Sequence, residues 1–156
     1  MNRVRKHLLP KRRIADRLTR AGFRVVAVSP AQGYDLLVNE RVRVALRVAF
    51  PRKRRHSVTV RGRKYLYRYR SWHFNFHHHG RLDTRYADVF VCLAMQPKET
   101  GRDTAYVIPW DEVSGKTFSL HAGRRRYAGR YAAHREHWLA ITEAVGESKS
   151  RLRKVA

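Results

Sequence analysis

The stretch Asp88–Met95, DVFVCLAM, constrains the fold of this chain more than any other. After its first residue it is a near-continuous apolar run, which is typical of a β-strand buried on both faces of a sheet. The other predicted strands are Phe23–Val28, Tyr34–Val38, Val42–Phe50 and Thr104–Ile108, and the predicted helices cover residues 11–21 and 125–145. This order predicts a single α/β domain over residues 11–145, between a basic arm at 1–10 and a basic tail at 146–156.

The charge balance of the chain indicates a polyanionic partner. Lys and Arg number 35 against 12 Asp and Glu, which gives a formal net charge of +23 on 156 residues. Such self-repulsion destabilises a compact state unless a polyanion neutralises it. Nucleic acid is therefore the predicted partner. An anionic membrane surface is the rival, and it is disfavoured because the charge is spread along the chain and no amphipathic anchor helix stands out.

Cys92 is the one cysteine, and it lies inside the apolar run, where a thiol behaves as a small buried hydrophobe. A single cysteine cannot form a disulfide within the chain, which fits a reducing compartment. No run of about 18 apolar residues is present, so no membrane-spanning helix is expected. These features predict a cytoplasmic protein with no membrane partner.

Two short segments carry a resemblance to a known family. Gly33–Val38 reads GYDLLV and contains Asp35, and Val44–Val48 reads VALRV after a tight turn. In order and spacing they resemble the PD-(D/E)xK nuclease superfamily. The resemblance implies a restriction-endonuclease-like mixed central sheet flanked by helices. It also implies an Asp and a Glu that bind Mg²⁺, and a Lys that assists the attacking water.

The chain departs from that motif at two positions. The family's Glu falls at Ala45 and its Lys at Arg47, on the same strand face as Arg43 because alternate residues share a face. Alanine cannot ligate a metal, and arginine cannot act as a base at neutral pH. Asp35, Ala45 and Arg47 are therefore interpreted as vestigial catalytic positions, with no metal or other cofactor expected. The open alternative is a working Mg²⁺-dependent endonuclease, for example of the homing type, that uses Asp35 with a displaced acid such as Asp16.

Basic and aromatic side chains interleave in the segment Pro51–Arg70, which holds nine Lys or Arg and three Tyr. A basic turn is predicted over Pro51–Arg55, and the extended segments Ser57–Val60 and Lys64–Phe76 after it are predicted to form a protruding β-ribbon inserted in the domain. Basic side chains hold phosphates, and aromatic faces stack on unpaired bases. The alternative is a solvated hairpin whose tyrosines pack on the sheet. The predicted nucleic-acid contacts are Arg43, Arg47, Lys53, Arg54, Arg55, Arg63, Lys64, Arg68 and Arg70.

The segment Trp72–Gly80, WHFNFHHHG, is the last candidate site. If extended, it places His73, His77 and His79 on one face and its aromatic residues on the other. Three imidazoles on one face suggest zinc, but same-face neighbours on a strand lie about 6.6–7 Å apart, which is long for shared ligation. Two interpretations remain: contact with phosphate or bases, and histidines on a solvated sheet face over an aromatic core.

These features favour a nucleic-acid-binding protein with a degenerate nuclease-like site that binds backbone phosphates. Two alternatives stay open. One is the active endonuclease. The other is a structural RNA-binding protein of a large ribonucleoprotein such as the ribosome, where basic arms and tails become ordered against RNA. The sequence does not separate DNA from RNA, and it leaves a homo-oligomer open.

Overall fold

The computed structural model describes residues 3–77, 86–96, 102–122 and 129–146. Within these ranges lie two α-helices and eight β-strands. The helices are α1 (Arg3–Arg20) and α2 (139–146), and the strands are β1 (Val25–Ala27), β2 (Leu36–Val38), β3 (Val42–Ala49), β4 (Arg52–Val60), β5 (Arg63–Asn75), β6 (Val89–Ala94), β7 (Thr104–Pro109) and β8 (Thr117–Ala122). Neither of these helices has a segment long and apolar enough to cross a membrane.

The apolar run of the sequence forms β6, which lies inside a five-stranded mixed sheet with the order β1-β2-β3-β6-β7. β6 runs parallel to β3, and the remaining neighbours pair antiparallel. All six residues of β6 are buried, which confirms the prediction of a strand covered on both faces. A parallel pair needs a long crossover connection, and here that connection contains β4 and β5.

A second sheet, antiparallel and with the order β4-β5-β8, covers one face of the first. The inner half of β5 is buried there at Trp72 and Phe74, while its outer half pairs with β4 alone and is exposed. This outer half and β4 form a ribbon that ends in a turn at Arg61 and Gly62, with φ of 49° and 76°. Positive φ at both turn residues matches the twist of a two-residue hairpin. The chain is thus a mixed α/β protein with one mixed and one antiparallel sheet.

Two strands of the second sheet differ from the prediction. β4 begins at Arg52 rather than at Ser57, because the basic residues predicted as a turn pair with β5. An edge strand tolerates this much charge, since one of its sides meets only solvent. β8 has no counterpart among the predicted strands. Its signal is the alternation of Phe118 and Leu120, which both point into the core.

Alternate residues of β3 contribute to two separate cores. Val44 and Leu46 join an aliphatic cluster that packs against both helices. Ala45 joins a largely aromatic cluster that lies between the two sheets. The predicted division of β3 into two faces is therefore confirmed, and it sets Ala45 on the inter-sheet side.

α1 begins at Arg3 rather than at Lys11, so most of the predicted basic arm continues the helix. Leu8 and Leu9 in this extension are exposed, so these two apolar residues do not continue the buried stripe that identifies the rest of the helix in the sequence. Pro10 lies within the helix, although proline removes one backbone hydrogen bond there and usually ends a helix. Both features hide the true start of α1 from sequence patterns.

The predicted helix over residues 125–145 is wrong over much of its length. Ala132–His134 form a single 3₁₀ turn, and Glu136 has a φ of 53°, which no α-helix accommodates. The only α-helix in this part of the described chain is α2. Residues 125–128 lie outside the described residues.

The helix is predicted because large side chains recur three or four residues apart through this region, among them Tyr131 and Ile141. Tyr131 and Ile141 are both buried, as the pattern requires, but Tyr131 packs between the two sheets and Ile141 packs with α1. Two cores that face different directions therefore produce a sequence pattern that one helix face would also produce. The predicted basic tail lies outside the described residues beyond Gly146.

Candidate nucleic-acid interface

Asp35 directly precedes β2 and lies beside Ala45 of β3. The register pairs Leu36 with Val44, so the residue before one lies opposite the residue after the other. The N–H of Asp35 donates to the Val44 carbonyl at 2.9 Å, and its Oδ2 accepts the N–H of Leu46 at 2.8 Å. The side chain of Asp35 thus continues the hydrogen-bond ladder between β2 and β3 beyond the point where β2 begins. The positions of the nuclease-like motif, 35 and 45, are neighbours.

Two cations of the protein flank this carboxylate. Nζ of Lys11 lies 3.7 Å from Oδ1 and donates to the carbonyl of Val28 at 2.9 Å. Nη1 of Arg47 lies 3.9 Å from Oδ2 of Asp35. Sequence reasoning missed Lys11. Its signal is its place three residues before the buried Ile14, at the edge of the apolar stripe of α1.

Arg47 spans from β3 to the end of β5. Its Nε donates to the carbonyl of Asn75 at 2.8 Å, Nη1 to the carbonyl of Leu46 at 3.1 Å, and Nη2 to the hydroxyl of Tyr86 at 3.2 Å. Burial raises the pKa of Tyr86, with the charge of Arg47 acting in the opposite direction. The Tyr86 hydroxyl in turn donates to the carbonyl of Phe76. Arg47 therefore connects the two sheets.

Arg43, the other arginine predicted on this face, is engaged by Asp88. The guanidinium meets the carboxylate in a two-point contact, with Nε 3.1 Å from Oδ2 and Nη2 3.2 Å from Oδ1. Oδ2 also accepts the backbone N–H of Arg43 at 2.8 Å. The hydrogen bond with Asp88 raises the pKa of Arg43. Both arginines of the motif strand thus have acceptors within the protein.

Asp16, the alternative acid, is exposed on α1, and the α1 side chain that contacts Asp35 is Lys11. Across the described ranges, no group of three or more His, Cys, Asp or Glu side chains is placed to hold a metal ion. Mg²⁺ is usually held by one or two carboxylates together with waters and substrate phosphates. The arrangement described at Asp35 supplies one carboxylate between two positive charges.

The ribbon has two chemically distinct faces, because directly opposed residues of an antiparallel pair share a face. The register opposes Lys53 to Arg70 and Arg55 to Arg68. With Lys64 these residues form what we call the basic face. All but the half-buried Arg70 are exposed. Residues 52–75 contain no Asp or Glu, so neither strand of the ribbon supplies a countercharge.

The opposite side of the ribbon is the tyrosine face, formed by Tyr65, Tyr67 and Tyr69 of β5. Arg54 lies opposite Tyr69 in the register. The register also places on this face Arg52, His56, Val58, Val60, Arg63 and Ser71. The predicted nucleic-acid contacts on the ribbon therefore divide, with Arg54 and Arg63 on the tyrosine face and the others on the basic face.

The predicted histidine group is only partly described. His73 lies on the outer side of β5, where its Nδ1 is 2.8 Å from the Ser119 hydroxyl and its ring centroid is 6.4 Å from that of His121. His77 lies beyond the end of β5, and its N–H donates to Oδ1 of Asn75. His79 lies outside the described residues.

Comparison of the chain with models of known families, with curated proteins and with solved structures finds no match. The resemblance to PD-(D/E)xK nucleases therefore stays a prediction from this chain's own residues.

Proposed function

We propose that this chain binds nucleic acid through the basic face of its ribbon and does not cut the strand that it binds. One observation carries the proposal: Lys53 lies directly opposite Arg70, and Arg55 directly opposite Arg68. Like charges in opposed positions destabilise a sheet. A ribbon built from such pairs is stabilised when an anion lies across it. A nucleic-acid backbone carries phosphates at regular intervals and can therefore neutralise several of these pairs along the ribbon.

The spacing on the basic face suits a repeating anion. Same-face neighbours lie about 6.6–6.8 Å apart along a strand, and the two strands lie about 4.7–4.9 Å apart. Long Lys and Arg side chains on such a grid reach successive phosphates. Phosphate contacts fix position and carry little sequence information. The proposed binding is therefore sensitive to salt and weakly selective for sequence.

The fold we propose is restriction-endonuclease-like with a degenerate site. Two observations support it: the mixed sheet in which β3 runs parallel to β6, and the adjacency of Asp35 and Ala45. Lys11 and Arg47 support the lack of metal chemistry, because two positive charges beside one carboxylate repel a divalent cation. Their ammonium and guanidinium groups supply the charge that a metal would otherwise supply to Asp35.

The test is the salt dependence of binding. The variant Lys53→Gln/Arg55→Gln/Arg68→Gln removes three charges from the basic face and leaves the tyrosine face intact. On a labelled 20-base-pair duplex, each phosphate contact contributes about −0.9 to the slope of log K against log salt. We expect the triple variant to bind more weakly, with a slope shallower by up to roughly 2.7. Fluorescence anisotropy between about 50 and 200 mM salt measures both.

A matched control removes the same charge elsewhere. Arg12→Gln/Arg20→Gln/Arg102→Gln takes three exposed arginines from outside the second sheet. We expect its slope to change by less than the slope of the ribbon variant. Equal losses in both variants would show that net charge alone binds the duplex, and would remove the ribbon from the site.

A further inference from the structure

The tyrosine face of the ribbon exposes aromatic rings where a solvated sheet would carry polar side chains. Tyr65 and Tyr67 are 44% and 55% exposed, and Tyr69 is half-buried. The ring of Tyr69 packs edge-on against His121 at a centroid distance of 5.4 Å. The three tyrosines thus form a row along one strand, fixed at its inner end by β8 and open to solvent at its outer end.

The spacing of this row matches the stacking of bases. Alternate residues of an antiparallel strand lie about 6.8 Å apart, which is twice the roughly 3.4 Å rise per base of a stacked strand. The gap between two successive rings that lie parallel therefore has the width of one flat base. A tyrosine side chain offers a large aromatic contact area and has few rotatable bonds, so holding it in one orientation costs little conformational entropy.

Positive charge lies on the same side as the rings. Arg52, Arg54 and Arg63 share the tyrosine face by register, and all three are exposed. Nε of Arg54 lies 3.4 Å from the Ser71 hydroxyl, which directs its guanidinium along the sheet. Guanidinium groups beside a stacking row supply the phosphate contacts that a strand needs between its bases.

We infer that the tyrosine face binds an unpaired nucleic-acid strand, whose bases stack on Tyr65, Tyr67 and Tyr69 while its phosphates meet the neighbouring arginines. This inference rests on the proposed function and names its ligand more closely. A duplex cannot use the row, because its bases already stack on each other and present only their edges in the grooves. The basic face binds phosphates of either form, whereas the tyrosine face selects the unpaired one.

The experiment compares two ligands on two variants. The ligands are a labelled 12-nucleotide oligouridine or oligothymidine, and a labelled duplex. The variants are Tyr65→Ala/Tyr67→Ala/Tyr69→Ala and, as its matched control, Tyr65→Phe/Tyr67→Phe/Tyr69→Phe, which keeps the rings. We expect the alanine variant to lose at least about 10-fold in affinity for the single strands, since each stacked base accounts for roughly 5- to 150-fold. The phenylalanine variant keeps the affinity.

The outcomes separate this inference from the proposed function. Loss of single-strand binding with duplex affinity and salt slope unchanged supports the inference. Unchanged single-strand binding in the alanine variant overturns it, while the basic face stays the site if duplex binding keeps its salt dependence. A parent protein that binds neither ligand overturns both.

A measurement on the parent protein covers the case in which the alanine variant does not fold. Oligonucleotides that carry 5-iodouracil crosslink under ultraviolet light to aromatic side chains in contact with the base. Tryptic cleavage after Lys64 and Arg68 places Tyr65 and Tyr67 in one short peptide. We expect that peptide to carry the crosslink. Crosslinks found only on other peptides would overturn the inference. Oligouridine and oligothymidine arms show whether RNA or DNA is preferred.

Discussion

Lys11 of α1 and Asp35 immediately before β2 meet, with Nζ of the lysine 3.7 Å from Oδ1 of the aspartate. Only 18% and 23% of the two side chains are exposed. The helix thus supplies a cation to a carboxylate whose other oxygen already accepts a backbone N–H of β3. Asp35 is in this way a structural residue, which makes its removal informative about both stability and chemistry.

We expect Asp35→Ala to lower the free energy of unfolding by about 1–3 kcal/mol, because the N–H of Leu46 loses its acceptor. Lys11 and Arg47 also lose their shared countercharge. Asp35→Asn is the control, since an amide oxygen still accepts the N–H but carries no charge. Denaturant unfolding of the three proteins gives the comparison. A smaller loss in Asp35→Asn assigns the effect to the hydrogen bond, and equal losses assign it to the charge.

We expect no metal-dependent cleavage above background on supercoiled plasmid or structured RNA, with Mg²⁺ or Mn²⁺ present. The physical reason is that Lys11 and Arg47 already neutralise the carboxylate of Asp35, and Ala45 supplies no second carboxylate to offset the repulsion between these cations and a metal ion. Gel electrophoresis of each substrate with metal and with chelator is the measurement. Cutting that depends on metal and disappears in Asp35→Ala would contradict this prediction and support the active endonuclease.

Glu136 holds the edge strand β7 in place through both its backbone and its side chain. Its N–H donates to the carbonyl of Ala105, and its Oε1 accepts the N–H of Ala105 at 2.7 Å. Its Oε2 accepts the indole N–H of Trp138 at 2.8 Å. We expect Glu136→Ala to lower the free energy of unfolding by about 1–3 kcal/mol, since the buried N–H of Ala105 is left without its acceptor.

The control for that variant is Glu143→Ala on the exposed side of α2. A surface change of this kind stays within about 0.5 kcal/mol of the parent. Thermal or denaturant unfolding measures both variants. If the two lose the same stability, Glu136 does not support β7 in the way described.

The titration of His73 gives a test of the electrostatics beside the tyrosine face. Partial burial lowers the pKa of His73, and the charge of Arg54 lowers it further. A folded pKa below the unfolded value means that the stability from His73 is fully present above the unfolded pKa and is lost as pH falls through the folded pKa. We expect an NMR titration midpoint below about 6.5, and Arg54→Gln to raise it.

Arg20→Gln is the matched control for this titration, because it removes one exposed arginine from α1. It is expected to leave the His73 midpoint unchanged. A parent midpoint at or above about 6.5, or an equal response to both substitutions, would contradict the assigned cause.

The predictions from sequence are confirmed where the pattern within a single strand is enough to indicate which of its residues are buried. The apolar run of β6 is buried on every side, and the alternation along β3 divides its residues between two cores as expected. They fail where a contact depends on how elements far apart in the sequence pack together. The contact of Lys11 with Asp35 depends on how α1 rotates against the sheet, which no local pattern states.

The failure to predict β8 and the wrong prediction of a helix over residues 125–145 have the same cause, which is packing between elements far apart in the sequence. β8 pairs with β5 across more than forty residues of chain, with Phe118 opposite Phe74, and its short alternation was the only local sign. Tyr131 and Ile141 are buried in different cores, so their helical spacing carried no information about a helix. The division of the ribbon into two faces followed from register, which the turn at Arg61 and Gly62 fixes.

The length of β5 has a mechanical consequence. The strand runs for 13 residues without interruption, roughly 43 Å at about 3.3 Å per residue. Its inner half is clamped at Trp72, whose Nε1 donates to the carbonyl of Met95 at 2.8 Å, just past the end of β6. Because β5 continues unbroken from the core into the ribbon, the ribbon projects from the protein without a hinge at its base. A load at the tip of the ribbon is therefore transmitted to the packed interior, and the orientation of a molecule bound at the tip is set by the body of the protein.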